Sequence, residues 1–173
     1  MRRIIQFAFI GLFAGLFNCS TDAFVCIKDV AQARLDAVPK TQLATDIQRI
    51  DNYLTANNIV AIQDPTGLRY QIISQGTGQS PCVNSKIAVA YSGRVLLNTG
   101  VLAGTTFDSS TGATFTLSGL ILGWQIAFPK LPNGTTAKLY VPSGLAYGSV
   151  AQGTSIPANS VLVFDVELLA FQN

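Results

Sequence analysis

The sequence predicts an α+β protein in which one N-terminal helix precedes an antiparallel sheet of about five strands, with one short helix covering the inner face of the sheet. Three patterns support this. Apolar residues recur at helical spacing over residues 41–57, and they alternate with polar ones in several segments after residue 67. A short apolar run between two glycines precedes Trp124, the only tryptophan. Only 12% of the residues are charged and 15 are glycines, which is typical of a chain rich in strands and loops.

The N-terminus has the pattern of an export signal. Two arginines precede an apolar run over residues 4–17, which is shorter than the roughly 20 residues that cross a bilayer. The four residues that end at Cys19 resemble a bacterial lipoprotein processing box. We therefore expect a lipoprotein-type signal peptide over residues 1–18 and a lipid anchor on Cys19 that attaches the protein to a membrane. Ordinary secretion with cleavage near Ala23 is the alternative. Both interpretations place the mature protein outside the cytoplasm, and we expect it in the periplasm or cell envelope.

The other two cysteines fit this compartment. If Cys19 is lipidated, Cys26 and Cys82 remain as a pair where disulfides can form. A disulfide between them is a hypothesis that rests on cysteine parity and compartment alone, and the sequence leaves it open. The bond would close a long loop and stabilise the fold by about 4 kcal/mol in the chain-entropy model.

The residue composition excludes several classes of function. The sequence contains no histidine, which excludes histidine-based triads and histidine metal sites, and we expect neither a metal nor another cofactor. Without residues 1–18, nine Lys and Arg balance nine Asp and Glu. A neutral chain lacks the basic surface that nucleic acids require, so we expect no nucleic-acid partner.

Ahead of the sheet, the chain is predicted to form a tether and then a helical extension. Residues 19–40 are assigned to the tether because residues 27–40 are polar and weakly patterned, with room for one helical turn. The extension covers residues 41–66, and its helix over residues 41–57 carries one apolar stripe, formed by Leu43, Ile47, Ile50 and Leu54. This stripe could dock on the main domain or on a second copy of the chain in a homodimer, and the sequence leaves both open.

The main domain is predicted over residues 67–173, after a turn at residues 64–67. Alternation of apolar and polar residues predicts strands at 68–74, 87–91, 107–108 with 113–117, 135–141 and 161–171. In the last strand Asp165 and Glu167 alternate with apolar residues, so we interpret them as solvated charges rather than an acid–base pair.

The glycine-flanked run at residues 119–123 is predicted to be a bend. Glycine on either side allows a tight turn, which would place Leu120 and Ile121 in an apolar space and start a helical turn at Trp124.

Several short motifs, taken in order, resemble one protein family. They are residues 91–93 (Tyr-Ser-Gly), 107–110 (Phe-Asp-Ser-Ser), 123–124 (Gly-Trp), 145–148 (Leu-Ala-Tyr-Gly), 156–157 (Ile-Pro) and 163–168. Together they resemble the FKBP family of peptidyl-prolyl isomerases, in particular exported bacterial members with an N-terminal helical extension. The resemblance covers residues 68–171 and implies a curved half-barrel sheet wrapped on a short helix, with an apolar pocket between them.

The resemblance also implies roles for individual residues. Trp124 would form the floor under a proline ring, and Tyr91, Phe107 and Phe164 would form the walls. Ile156 would offer its backbone N–H, and Tyr147 its hydroxyl, to the substrate. The implied catalytic residues are Tyr91, Phe107, Asp108, Trp124, Tyr147 and Phe164, and the implied substrate-binding residues are Leu120, Ile121 and Ile156.

Some positions depart from the usual family pattern. Ala113 replaces a second aromatic at the pocket edge, and no acidic residue follows Trp124. The stretch between Tyr91 and Phe107 is longer than usual, and its Gly- and Thr-rich excursion at residues 98–105 is expected to form a substrate-facing rim. These departures affect the expected substrate preference more than the expected activity.

A site that is lined by aromatic residues and contains no histidine or metal suits prolyl isomerisation. Rotation about an Xaa–Pro amide moves no proton, and its barrier of about 18–20 kcal/mol arises from the partial double bond. The expected function is therefore isomerisation of Xaa–Pro bonds in exported or envelope proteins. One alternative is a binding module or chaperone of the same fold with little turnover. Another is an unrelated β-rich lipoprotein whose motif matches are accidental.

Overall fold

The computed structural model describes residues 25–173, so the predicted signal peptide over residues 1–18 and the candidate anchor Cys19 lie outside the described residues. No helix within residues 25–173 has both the length and the apolar character needed to span a bilayer. The helices are α1 (Gln32–Asp36), α2 (Lys40–Ala56) and α3 (Leu122–Ala127), and the strands are β1 (Ile62–Gln63), β2 (Arg69–Ser74), β3 (Lys86–Leu96), β4 (Asp108–Thr116), β5 (Thr136–Val141) and β6 (Val161–Gln172).

All six strands form one antiparallel sheet in the order β1-β2-β5-β6-β3-β4. The alternation in β6 buries Leu162, Phe164, Val166 and Leu168 in the main core, which also contains Trp124 and Ile126 of α3. The short helix therefore covers the inner face of the sheet, and the predicted α+β architecture is confirmed.

Two details of the sheet differ from the sequence prediction. The sixth strand is β1, whose two residues are too few to show a pattern and which exists through its pairing with β2. The pieces predicted at 107–108 and 113–117 contribute to one strand, β4, which pairs with β3, while Phe107 and Leu117 lie outside it. A register shift opposite Val89 and Tyr91 interrupts the alternation that the sequence prediction relied on.

Helix α3 begins at Leu122, two residues before the predicted start at Trp124. Its second residue, Gly123, allows the helix to lie directly on β5. A Cβ atom built on Gly123 would lie 2.5 Å from Cγ1 of Val141, a distance that real contacts do not reach. The indole of Trp124 is thereby held between helix and sheet, with 4% of the residue exposed.

The apolar stripe of α2 packs on the chain's own sheet. Ile50 and Leu54 form a second apolar cluster with Leu96, Tyr140, Val161 and Val163, and Leu43 packs against the main core. Of the two docking modes that the sequence left open, the structure shows the one within the chain. A homodimer built on this helix would have to use another surface, because these residues are already covered.

The described part of the predicted tether, residues 25–40, also makes specific contacts. The Sγ atoms of Cys26 and Cys82 are bonded at 1.98 Å. The amine of Lys28 donates to the carbonyl of Pro81 at 3.0 Å, and Val38 is buried in the main core. In the described residues this segment is therefore attached to the domain rather than extended away from it.

Candidate functional site

A cavity of about 290 Å³ opens between α3 and the sheet. Eight of the nine residues assigned to the site from the sequence line it, and Phe115 and Gly119 complete the lining. The lining residues are Tyr91, Phe107, Asp108, Phe115, Gly119, Leu120, Ile121, Trp124, Tyr147 and Phe164. The structure thus brings together side chains from separate segments of the chain.

The register of the central strands explains this convergence. Gly93 of β3 pairs with Asp108 of β4 on one side and with Phe164 of β6 on the other. A Cβ atom on Gly93 would lie 2.4 Å from Cζ of Phe107 and 2.9 Å from Cε1 of Phe164. Only glycine leaves both rings their present positions, so the glycine of the motif at 91–93 has a steric function beneath the cavity wall.

Aromatic rings around Trp124 form most of the cavity. The ring centroids of Tyr91 and Phe164 lie 5.3 Å and 5.2 Å from that of Trp124, both close to edge-on. Phe107 packs edge-on against Phe164 at 5.7 Å. Edge-to-face geometry at these distances is favourable for aromatic pairs, so the rings fix each other's orientation.

The polar groups of the cavity are few. The hydroxyl of Tyr91 donates a 2.7 Å hydrogen bond to Oδ2 of Asp108. Burial first, and then this bond to a carboxylate, raise the pKa of Tyr91 to about 12. The phenol therefore remains protonated and continues to donate at neutral pH. Tyr147 lies at the rim and is 40% exposed.

Ile156 is the one predicted site residue that does not line the cavity. Its side chain is buried, and its N–H donates to the carbonyl of Gln152 at 3.3 Å within a small β-bridge. The resemblance implied that this N–H is offered to the substrate. In the structure it is instead hydrogen-bonded to the carbonyl of Gln152.

Phe115 lines the cavity although none of the sequence motifs includes it. Its position in β4 could have identified it. It lies two residues after Ala113, and its ring is 6.4 Å from that of Trp124 and 6.1 Å from that of Tyr91. Because side chains two residues apart in a strand share a face, Phe115 can supply the aromatic contact that Ala113 lacks.

A second, larger groove of about 470 Å³ adjoins the cavity, and Phe107 lines both. Its remaining walls are neutral residues from the end of β3, from the excursion and the residues that flank it, and from the loop before β6: Val95, Leu97, Ala103, Thr105, Thr106, Thr154, Ser155 and Pro157. The excursion folds back on β3, with the N–H of Ala103 donating to the carbonyl of Val95 at 2.8 Å.

Among the described residues, Asp108 is the only charged residue that lines the cavity. Asp165 pairs with Lys138 at 2.8 Å and with Arg94 at 3.3 Å, and it does not line the cavity. Among residues 25–173 no group of three or more His, Cys, Asp or Glu could hold a metal ion. The arrangement can exclude water from an apolar ring and offer a small number of neutral hydrogen-bond donors.

The family comparison and similar curated proteins point to the same protein family. Residues 78–169 match the family described as FKBP-type peptidyl-prolyl cis-trans isomerase. The chain is 44% identical over 111 residues to the FKBP-type isomerase FkpA of Aeromonas hydrophila, covering 62% of this chain and 39% of that protein. It is 40% identical over 124 residues to the isomerase Mip of Coxiella burnetii, covering 68% and 51%. It is 37% identical over 128 residues to the outer membrane protein MIP of Legionella longbeachae, covering 69% and 52%.

Two solved structures superpose on the fold of this chain. The crystal structure of FkpA from Escherichia coli superposes with a TM-score of 0.64 at 30% identity, over 82% of this chain and 64% of that one. A peptidyl-prolyl isomerase from Pseudomonas syringae gives a TM-score of 0.61 at 29% identity, over 84% and 98%. The chain spans between 39% and 52% of the length of the three curated relatives.

Proposed function

Since the chain belongs to the FKBP-type peptidyl-prolyl cis-trans isomerase family, we propose that it catalyses cis-trans isomerisation of Xaa–Pro bonds in polypeptides. One structural observation is the main support for this proposal. Tyr91, Phe107, Trp124 and Phe164, which lie far apart in the sequence, surround a single cavity with neutral aromatic walls. We assign the isomerase domain to residues 67–173, with residues 41–66 as its helical extension.

Such a cavity can lower the rotational barrier without a proton transfer. Water stabilises the charge-separated form of a planar amide, so moving the bond into apolar surroundings weakens its double-bond character and favours the twisted state. Lowering the barrier by about 5–7 kcal/mol would accelerate rotation by about 10⁴–10⁵. In this proposal Trp124 holds the proline ring, and Phe107 and Phe164 exclude water from it.

Two polar residues would orient the substrate. Tyr147, at the rim, is placed to donate its hydroxyl to a substrate carbonyl. Asp108 accepts from Tyr91 and thereby fixes the phenol ring that forms one wall. The N–H of Ile156 would first have to leave the carbonyl of Gln152, so Tyr147 is the donor that the present geometry favours.

We further propose that the protein is exported and lipid-anchored through Cys19, and that its substrates are exported or envelope polypeptides. The apolar run at residues 4–17 and the bond between Cys26 and Cys82 support export. The Legionella relative is itself named an outer membrane protein. Incorporation of labelled palmitate into the expressed full chain, lost on Cys19→Ala, would support the anchor, and equal labelling of both proteins would contradict it.

A protease-coupled assay on a short Xaa–Pro peptide tests the isomerase function. Trp124→Ala and Phe164→Ala should each lower kcat/KM by about 100-fold, or about 2.7 kcal/mol in the barrier, because each removes a surface that the proline ring contacts. Asp108→Asn and Tyr147→Phe should cost less, since they leave the apolar walls in place. Phe171→Ala, the same change on β6 outside the cavity lining, is the matched control.

The alternative function, a binding module with little turnover, gives a different result in the same experiment. Peptide binding would change the fluorescence of Trp124, the only tryptophan, while the wild-type protein would leave the isomerisation rate near its uncatalysed value. Full turnover after Phe164→Ala would contradict the assignment of the cavity.

A further inference from the structure

The N-terminal extension supplies a buried carboxylate to a turn beside the cavity. Asp46 of α2 is fully buried, and its Oδ2 accepts hydrogen bonds from the N–H of Ser143 at 2.8 Å and from the Oγ of Ser143 at 2.5 Å. Its Oδ1 accepts from Nε2 of Gln42 at 2.9 Å. A buried carboxylate is tolerated only when its oxygens are hydrogen-bonded, so Asp46 and Ser143 constrain each other's positions.

Ser143 in turn fixes the backbone on both sides of Tyr147. Its carbonyl accepts the N–H of Ala146 at 2.9 Å and the N–H of Gly148 at 2.8 Å. Tyr147 lies between these two residues and lines the cavity. A hydrogen-bonded path therefore runs from α2 through Ser143 to a residue of the site.

A second path runs from α1 to the segment before α3, which also lines the cavity. Gln125 is fully buried, and its Nε2 donates to the carbonyls of Leu120 at 2.5 Å and Ser118 at 3.1 Å. Its Oε1 accepts from Nη1 of Arg34 at 2.7 Å. Because a guanidinium only donates and carbonyls only accept, one amide orientation satisfies all three contacts, and Arg34 selects it.

We propose that residues 25–56 act as a brace that positions the substrate-binding residues of the cavity. Asp46 positions Tyr147 through Ser143, and Arg34 positions Leu120 through Gln125. The disulfide of Cys26 and the apolar packing of α2 attach the brace to the domain. The kinetic consequences of the brace rest on the proposed isomerase function. Its ordering of the backbone around Tyr147 and around Leu120 does not.

Two substitutions of unchanged shape test the brace. Asp46→Asn removes the charge and leaves one acceptor oxygen for the donors of Ser143 and Gln42, and Gln125→Glu presents a carboxylate to two carbonyls. Each should lower kcat/KM for an Xaa–Pro peptide about tenfold, or about 1.4 kcal/mol. Asp36→Asn and Gln48→Glu make the same chemical changes at exposed positions and should leave kcat/KM unchanged. If Asp46→Asn does not fold, Ser143→Ala, which removes only the Oγ donor, replaces it.

Amide hydrogen exchange separates positioning from general destabilisation. Asp46→Asn should accelerate exchange at Ala146 and Gly148, Gln125→Glu should accelerate it at Leu120, and the amides of β3 should remain protected in both. In a Tyr147→Ala background Asp46→Asn should lose most of its kinetic effect, because a residue that acts through Tyr147 has nothing left to position.

Two outcomes would overturn the proposal: unchanged exchange in both variants, or faster exchange spread evenly over the sheet. A wild-type protein without isomerase activity would refute the proposed function instead, and the local exchange pattern would then still decide whether the brace exists.

Discussion

Gly93→Ala tests whether the rings of the cavity wall must lie where the structure places them. The added methyl would lie 2.4 Å from Cζ and 2.7 Å from Cε2 of Phe107, and 2.9 Å from Cε1 of Phe164. Relaxed carbon contacts are about 3.5–4.0 Å, so the Phe107 ring must move by about 1 Å. The strand itself is held, because β3 pairs with β4 and β6 on its two sides.

The displacement has two expected consequences. Overpacking of this kind lowers the free energy of unfolding by about 1–3 kcal/mol. Since a misplacement of about 1 Å at a reacting centre can cost about 100-fold, we expect kcat/KM for an Xaa–Pro peptide to fall by at least about tenfold. Urea denaturation measures the first quantity, and the protease-coupled assay measures the second.

A matched control and a double variant make this prediction decisive. Gly112→Ala adds a methyl to β4 whose nearest heavy atom, Cδ1 of Leu169, lies at an ordinary contact distance of 3.8 Å, and it should change neither quantity. Phe107→Ala in the Gly93→Ala background removes the clashing ring, so the two stability losses should not add. A folded Gly93→Ala protein with wild-type kcat/KM would refute the steric reasoning and, with it, the position of the Phe107 wall.

Three further predictions concern the rest of the molecule. Replacing Cys26 and Cys82 with serine should lower the free energy of unfolding by about 4 kcal/mol, and finding two free thiols in denatured, unreduced protein would contradict this. Because the pKa of Tyr91 is raised to about 12, above its ordinary 10, its stabilising contribution is complete below pH 10 and falls away between pH 10 and 12. The free energy of unfolding of the wild type should therefore decline more steeply over that range than that of Tyr91→Phe, and parallel declines would contradict it. Shortening the 98–105 excursion should change the preference for residues next to the proline and retain turnover, and an unchanged ranking across a peptide panel would refute a role as the rim.

Elements with a strong local pattern could be predicted from the sequence. One face of α2 and one face of β6 are buried, and this burial is visible in the sequence as an apolar stripe in α2 and as alternating apolar residues in β6. Strands β1 and β4 could not be delimited in this way. The two residues of β1 have no pattern of their own, and the register of β4 against β3 shifts between Val89 and Tyr91, which interrupts its alternation. Both strands therefore depend on backbone pairing with their neighbours.

The site was largely predictable because its members lie in short motifs that the sheet register brings together. Trp124 and Phe164 are identified by the motifs around them, and the cavity contains both. The N–H of Ile156 is different, since its partner is the carbonyl of Gln152 and no side-chain pattern reveals a backbone bond.

The contacts of the brace could not be predicted from the sequence, and the reason is physical. Asp46 lies four residues before Ile50, at the edge of the apolar stripe of α2, and it is buried against Ser143, 97 residues away in the chain. A carboxylate at such an edge can face either water or the sheet, and one long-range polar contact leaves no periodicity that would distinguish the two. Ile50 and Leu54 follow Asp46 at intervals of four residues and are buried beside it, so one face of α2 carries both the apolar contacts and the hydrogen-bonded carboxylate. A helix held in this way can transmit its position to the turn that carries Tyr147, which a helix docked by its apolar stripe alone could not do with the same accuracy.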